Sequence, residues 1–557
     1  MKHLTLRGCL KIVVRTVGFP EAAGRMTAPQ WPGHPARSLS ERVLTIIRQP
    51  LTILLALSFP AFAAPKPDRG GVPDSKLYDY GVMGPPATPA IVAAAEKGIT
   101  MPMPSGPFEA TWESIQQNYQ SPAWFKDAKF GIFMHWGIYS VPAFRNEWYE
   151  KHLYGAVLDW HTQNFGPPEK FGYKDFIPLF KQEKFKADEW ATLFKKSGAK
   201  FVMPTAQHHD NFAMWDSELT PINAKKMGPK RDLVGELGVA VRKQGMKYGL
   251  SNHGIENFTF INPSGELDAR LKAAKADLYD PKWATFYNVA DRSPAAMTRF
   301  LTDWANRNFE LIDKYQPDLL WFDNGANLRV LDPLKLHVAA YYYNRAREWK
   351  KDVSISTKYI AYAPSNDDTK QIGSIIDFEK IGSRSPAEIR PAPWMVDDAI
   401  GSTWGYTNGM RVTGGGSIIN RIIDTVSKGG TYLLNLSPMA DGTIPVDQQK
   451  TLLEIGEWLG LNGEGIYGTH AWTQFGEKGW HFTVKEGALY AIGSPTSGEA
   501  VITLVNESTG KVTQVERLGS KDSFKFTQDG NGLIVKVTGK ETNKLPIILK
   551  ISGLNLK

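Results

Sequence analysis

Residues 318–325 read Asp-Leu-Leu-Trp-Phe-Asp-Asn-Gly. Leu319, Leu320, Trp321 and Phe322 run without polar alternation, the pattern of a strand covered on both faces, as in the parallel sheet of an α/β protein. The Asp-Asn-Gly that follows is turn chemistry. A strand ending on Asp323 has two readings. The carboxylate can cap the next turn, or, if the sheet closes into a barrel, it stands on the face where barrel enzymes carry their chemistry. The rest of the chain decides between them.

Working outward, the same texture recurs. An apolar run Phe130 to Met134 ends in His135, Phe201 to Thr205 leads to Gln207-His208-His209-Asp210, and Lys247 to Leu250 ends in Ser-Asn-His253. Helical spacing separates these runs, with Trp190, Leu193, Phe194 and Ser197 in one segment and Leu233, Leu237 and Val241 in the next. A long helical pattern over Thr298 to Tyr315 enters the opening stretch. Asp332-Pro333 then predicts a helix start, Asp at the N-cap and Pro at the first position, for Leu334 to Trp349. Short strands are expected at Val353 to Thr357, Ser374 to Phe378 and Thr431 to Leu436, with helices at Ile419 to Ser427 and Pro445 to Leu461. Alternating strands and helices, with no dinucleotide fingerprint, predict an α/β fold of the (β/α) TIM-like barrel type. Near Gly465 the texture changes to strands separated by Gly, Asp-Gly and Asn-Gly, which predicts a C-terminal antiparallel β-sandwich. The expected divisions are residues 1–63 as an N-terminal extension with a signal peptide, 64–107 as a linker or strap, 108–464 as the catalytic barrel and 465–557 as the sandwich.

The 557 residues carry a net charge of +8, but residues 1–63 hold six of those charges, leaving +2 on the remainder. A body so nearly balanced has no overall basic excess for nucleic acid. Within the first segment, Leu51 to Ala63 is apolar, follows Arg48 and closes on Ala61-Phe62-Ala63, as in a secretory signal peptide cleaved after Ala63 or Ala64. It is short for a membrane span. Met26 is an alternative start. The single cysteine, Cys9, lies in the same segment, so a mature chain would contain no disulfide. An exported protein, periplasmic or secreted and with no stable membrane span, is expected.

Four strand ends thus supply His135, His208 with His209, His253 and Asp323, which together point to a site on one barrel face. Two chemistries compete for it. Metal-dependent hydrolysis would use the histidines as ligands, although no His-x-His pair is present and the adjacent His208 and His209 would point opposite ways in extended backbone. Carbohydrate hydrolysis needs two carboxylates, polar donors and aromatic rings. Seventeen Trp, several beside the strand ends (Trp136, Trp148, Trp215, Trp321), suit a sugar pocket. Glu147 in Asn-Glu-Trp-Tyr is a candidate acceptor for sugar hydroxyls, or else an exposed loop acid.

The segments F-K-D-A-K-F-G-I-F-M-H-W-G-I-Y-S-V-P-A-F-R-N-E-W-Y, T-A-Q-H-H-D-N-F-A-M-W-D-S, L-L-W-F-D-N-G and S-T-W-G-Y resemble the α-L-fucosidases of glycoside hydrolase family 29, over roughly residues 124–468. The resemblance implies a retaining exo-α-L-fucosidase acting on fucosylated oligosaccharides or glycoconjugates. It implies no metal and no organic cofactor. Asp323 would be the nucleophile, with His135, Glu147, Trp148, His208, His209, His253 and Trp321 around the sugar. Where better-known members read N-D-R-W, this chain reads S-I-S-T-K-Y, placing Lys358 at the arginine position: the charge is kept and the bidentate fork is lost. The following I-I-D-F-E-K offers Glu379 as general acid/base, with Glu388 the alternative. A third position, W-E in some members, is Trp394-Met395 here. A relative that binds sugar without turnover is the non-enzymatic reading of the same fold.

Overall fold

The computed structural model describes residues 84–557 except 359, 366, 380–384, 391–392, 497, 522–523, 538–544 and 557. The expected signal peptide and the first part of the expected strap lie outside the described residues.

Eight parallel strands close into a barrel in sequence order: β1 (Phe130–Met134), β2 (Phe201–Gln207), β3 (Lys247–Asn252), β4 (Leu319–Phe322), β5 (Ser354–Lys358), β6 (Ser374–Asp377), β7 (Trp394–Ala399) and β8 (Thr431–Leu436). Every residue of β4 is buried, as the unbroken apolar run required. Inside the barrel, Phe133, Phe201, Met203, Leu319, Trp321, Ile375, Met395 and Leu433 form a continuous cluster, so the interior is packed rather than open. Gly131 makes room for it: a β-carbon there would lie 2.3 Å from the Phe201 ring. Helices Ala187–Lys196, Leu233–Lys243, Pro294–Tyr315, Asp332–Trp349 and Gly415–Ser427 follow β1 to β4 and β7, and Val446–Asn462 follows β8. Among the described residues, no α-helix joins β5 to β6 or β6 to β7.

Two sequence expectations need correction. The helix after β4 begins at Asp332 itself, with Leu331 as N-cap and no side-chain cap bond. Asp332 instead pairs with the buried Lys335 ammonium at 2.7 Å, so the acid neutralises a lysine rather than capping the helix. The second correction is β7, whose sequence Trp-Met-Val-Asp-Asp-Ala has too short an apolar run to read as a strand. Its two acids fare differently. Asp398 takes a hydrogen bond from Arg421 at 2.7 Å, whereas the Asp397 carboxyl is buried without a hydrogen bond and only its backbone N–H is engaged, donating to Asp377 Oδ1 at 2.9 Å.

Before the barrel, helices Pro89–Lys97 and Trp112–Asn118 strap its flank. Thr302 Oγ1 donates to Ala95 O at 3.0 Å, and the Asn344 amide binds both the N–H and the carbonyl of Phe108. After the barrel come β9 (His470–Glu477), β10 (Trp480–Lys485), β11 (Ala488–Gly493), β12 (Glu499–Ile502), β13 (Gly510–Arg517), β14 (Lys525–Asp529), β15 (Gly532–Lys536) and β16 (Ile547–Leu554). They form antiparallel sheets in the orders β13-β16-β11-β10-β9 and β12-β15-β14, around a core that includes Trp472, Phe482, Leu489 and Leu533. Tyr490 and Ile548 belong to the barrel-side core, and Trp458 Nε1 donates to Pro546 O at 2.7 Å. The fold is therefore a TIM-like barrel followed by antiparallel β-sheets.

Candidate active site

Parallel strands end on one face, and that face gathers His135 after β1, His208 and His209 after β2, His253 after β3, Asp323 after β4, Lys358 at the end of β5 and Glu379 just past β6. Asp323 fulfils both readings of its position. Its Oδ1 accepts the Asn324 N–H at 2.8 Å, capping the turn Asn324–Asn327. Its Oδ2 lies 2.9 Å from His253 Nδ1 and 3.6 Å from His209 Nε2, and Lys358 Nζ stands 3.3 Å from Oδ1. Burial alone would raise the Asp323 carboxyl, but the Lys358 ammonium and the His253 hydrogen bond outweigh it and hold the group well below the usual carboxylate range. An ionised carboxylate only accepts hydrogen bonds, so His253 donates from Nδ1.

Lys358 is the charge centre. Burial would lower its ammonium, yet Asp323, Glu379, Asp397 and Asp377 together raise it well above the ordinary lysine range. Its Nζ lies 3.5 Å from Glu379 Oε1 and 5.4 Å from the rings of both Trp321 and Trp404. Beneath it, Trp321 Nε1 donates to Asp377 Oδ2 at 2.7 Å. Burial pushes Asp377 up to about 7 and the neighbouring Asp397 well above the usual range.

The opposite wall comes from the loop after β1. Glu147 Oε2 accepts the Gly405 N–H at 3.0 Å, so this glutamate is buried rather than an exposed loop acid. The loop leading to it passes through Ala143 at φ 46° and Arg145 at φ 66°, a left-handed excursion of two non-glycine residues. Asn408 N–H holds it by donating to Ala143 O at 2.8 Å. His135 Nδ1 lies 2.8 Å from Asn435 Oδ1, which assigns the proton to Nδ1 and leaves Nε2 as an acceptor. Burial drives His135 and His208 well below the ordinary histidine range and His209 to about 3, so the imidazoles are neutral.

Of the residues read from the sequence, His135, Glu147, Trp148, His208, His209, Asp323, Lys358 and Glu379 line one pocket. His253 and Trp321 lie beneath it, fully buried, behind Asp323 and Lys358. Glu388 is exposed and is not among the lining residues. His208 and His209 do not point apart: β2 ends at Gln207, the backbone leaves extended geometry, and both rings reach the pocket with centroids 4.3 Å apart. The histidines consequently form two groups whose ligand atoms lie within 4.8 Å of one another, His135 with His208 and His253, and His209 with His253 and Asp323. Either group has the donor set of a transition-metal site.

Sequence reading missed Asn324 and Trp404, which also line the pocket, and the buried Glu256 beside His209. Trp404 was visible in S-T-W-G-Y and Glu256 in S-N-H-G-I-E-N-F, but neither stretch places its residue on a strand end.

With this geometry in hand, comparison with known proteins is direct. The family model described as Alpha-L-fucosidase matches residues 99–464. Tissue alpha-L-fucosidase of Mus musculus is 31% identical over 466 residues, covering 80% of this chain and 95% of the relative. Tissue alpha-L-fucosidase of Homo sapiens is 30% identical over 497 residues, covering 85% and 99%. The solved structure of Thermotoga maritima alpha-fucosidase in complex with fucose superposes with a TM-score of 0.64 at 31% identity, covering 80% of this chain and all of that one. The two carboxyl groups flanking a buried lysine therefore sit in the pocket of a chain that belongs to the α-L-fucosidase family of glycoside hydrolases.

Proposed function

We propose that this protein is a retaining exo-α-L-fucosidase that releases terminal α-L-fucose from fucosylated glycans. The observation that carries this reading is the pair Asp323 and Glu379 on either side of the Lys358 ammonium. Contacts of 3.3 and 3.5 Å end to end leave at most 6.8 Å between those carboxyl oxygens. That bound is compatible with the ~5–5.5 Å carboxyl separation of retaining glycosidases.

In the first step, an Asp323 oxygen attacks the anomeric carbon while the bond to the glycosidic oxygen breaks. Glu379 gives its proton to that leaving oxygen. In the second, Glu379 takes a proton from water, the water oxygen attacks the same carbon, and Asp323 departs as carboxylate. Two inversions restore the configuration. Asp323 is suited to the first role because Lys358 and His253 keep it ionised. Glu147 and the neutral imidazoles of His135, His208 and His209 offer hydrogen-bond acceptors to sugar hydroxyls, and Trp148 and Trp404 offer apolar faces. In this reading residues 108–464 form the catalytic domain and 465–557 an accessory sandwich. The N-terminal segment directs export to the periplasm or exterior, and no described helix is long and apolar enough to cross a membrane.

Hydrolysis of an aryl α-L-fucoside, followed by proton NMR before mutarotation, tests the proposal. Release of α-L-fucose first is expected. Release of β-L-fucose first, or no release, contradicts it. Metal-assisted hydrolysis is the second reading, carried by the two histidine groups, and chelation separates the two.

A further inference from the structure

We infer that Glu256, buried beside the pocket but not lining it, is a positioning residue that fixes the turn carrying Asp323. The role is defined by reference to the fucosidase reading above, although one of its tests does not depend on that reading.

β3 and β4 are neighbours in register, with Asn252 opposite Phe322, so the turns that follow them lie side by side. After His253 the chain enters the tight turn Gly254–Glu256, which directs residue 256 against the turn after Asp323. Gly325 permits the approach. A β-carbon there would stand 2.7 Å from Ile255 Cγ2 and 2.8 Å from Glu256 Cγ, too close for any larger residue without displacement. Without that side chain, the Gly325 N–H reaches Glu256 Oε1 at 2.9 Å, a buried hydrogen bond two residues past Asp323. The Asp323–Gly325 turn is thus tied at both ends, by Asp323 Oδ1 on Asn324 N–H and by Glu256 on Gly325 N–H.

The other carboxyl oxygen makes no hydrogen bond, so the tie to Gly325 is the contact through which Glu256 acts. The neighbouring His209 ring is held from elsewhere: its Nδ1 lies 3.2 Å from His253 O, and its Nε2 lies 3.6 Å from Asp323 Oδ2. Glu256 is 1% exposed, so water does not replace its contact with Gly325. Misplacing a reacting atom by about 1 Å can cost on the order of 10²-fold in rate. A residue that sets the Asp323 turn therefore governs kcat.

Two substitutions test the tie to Gly325. In Glu256→Gln the amide oxygen still accepts the Gly325 N–H, and we expect kcat, KM and the L-fucose dissociation constant all within about threefold of wild type. In Glu256→Ala the tie to Gly325 is lost, and kcat is expected to fall on the order of 10²-fold, beyond any change in L-fucose affinity. An Ala variant with kcat within twofold of wild type overturns the inference. So does a loss of kcat and L-fucose affinity in equal proportion in both variants, which is what general loosening would produce. Amide hydrogen exchange at Gly325 decides the positioning claim even if the wild-type chain releases no fucose, an outcome that would refute the functional reading alone. Faster exchange in Glu256→Ala than in Glu256→Gln supports it, and equal exchange in the two overturns it.

Discussion

Lys358 Nζ lies 3.3 Å from Asp323 Oδ1, a single buried ammonium set against a buried carboxylate. The same nitrogen reaches Glu379 Oε1 at 3.5 Å, so one cation serves both reacting groups. Replacing Lys358 by Met is expected to lower kcat/KM on the order of 10²–10³-fold, the range seen when one preorganised charge-stabilising donor is lost. The sign of the pH effect follows from the same contact. Burial raises Asp323 and the ammonium lowers it, so without the ammonium the carboxyl rises and the acidic limb of kcat/KM moves to higher pH. Lys358→Arg keeps the charge and is expected to keep the limb in place. A pH–rate profile of the three proteins checks both statements.

Asp210 predicts a pH effect on stability rather than rate. Burial pushes its carboxyl up to about 6, against the hydrogen bonds from Tyr173 Oη at 2.8 Å and Phe212 N at 3.1 Å. A folded-state value above the unfolded ~3.9 means that the unfolded chain releases its proton first as pH rises. Stability is then lost between about pH 4 and 6, by about 3 kcal/mol, and is level with respect to this group above that window. In Asp210→Asn the amide can accept from Phe212 and donate to Tyr173, so the variant should gain on wild type across that interval in urea unfolding. A difference that does not change with pH would contradict the assignment.

Glu147 offers a test of the opposite wall. One carboxyl oxygen is committed to the Gly405 N–H, and conversion to Gln removes the charge while keeping the shape. Losing a charge-assisted hydrogen bond to a sugar hydroxyl costs about 1.5–3 kcal/mol. KM for an aryl α-L-fucoside should therefore rise roughly 10- to 150-fold at nearly unchanged melting temperature. A KM within twofold of wild type would remove Glu147 from the binding wall.

The histidine groups invite a direct comparison of the two chemistries. Under the carboxylate mechanism, dialysis against a chelator leaves turnover unchanged. Added zinc competes with sugar for the neutral imidazoles of His135, His208 and His253, and so inhibits. Activity lost on chelation and restored by zinc would favour metal-assisted hydrolysis.

Much of this site was legible because strand ends are local signals. The runs ending at His135, His253 and Asp323 are apolar, short and followed by turn residues, so periodicity alone placed them on one face. Glu379 leaves the run I-I-D-F in the same way, but the family resemblance was needed to single it out. Trp404 was not placed because it lies beyond β7, a strand whose two buried acids interrupt the apolar run by which strands are recognised. Glu256 was not placed because its significance depends on the proximity of Gly325, a neighbour 69 residues away along the chain. The direction of His208 and His209 was left conditional on extended backbone because the sequence does not mark where β2 stops, and two residues of strand decide which way a side chain faces.

The central claim is that Asp323 forms the bond to the sugar. Asp323→Gly should abolish turnover of an aryl α-L-fucoside, and azide supplied to that variant should fill the vacated space and restore it, yielding β-L-fucosyl azide as the inverted product. Near-wild-type hydrolysis by Asp323→Gly without azide would contradict the account.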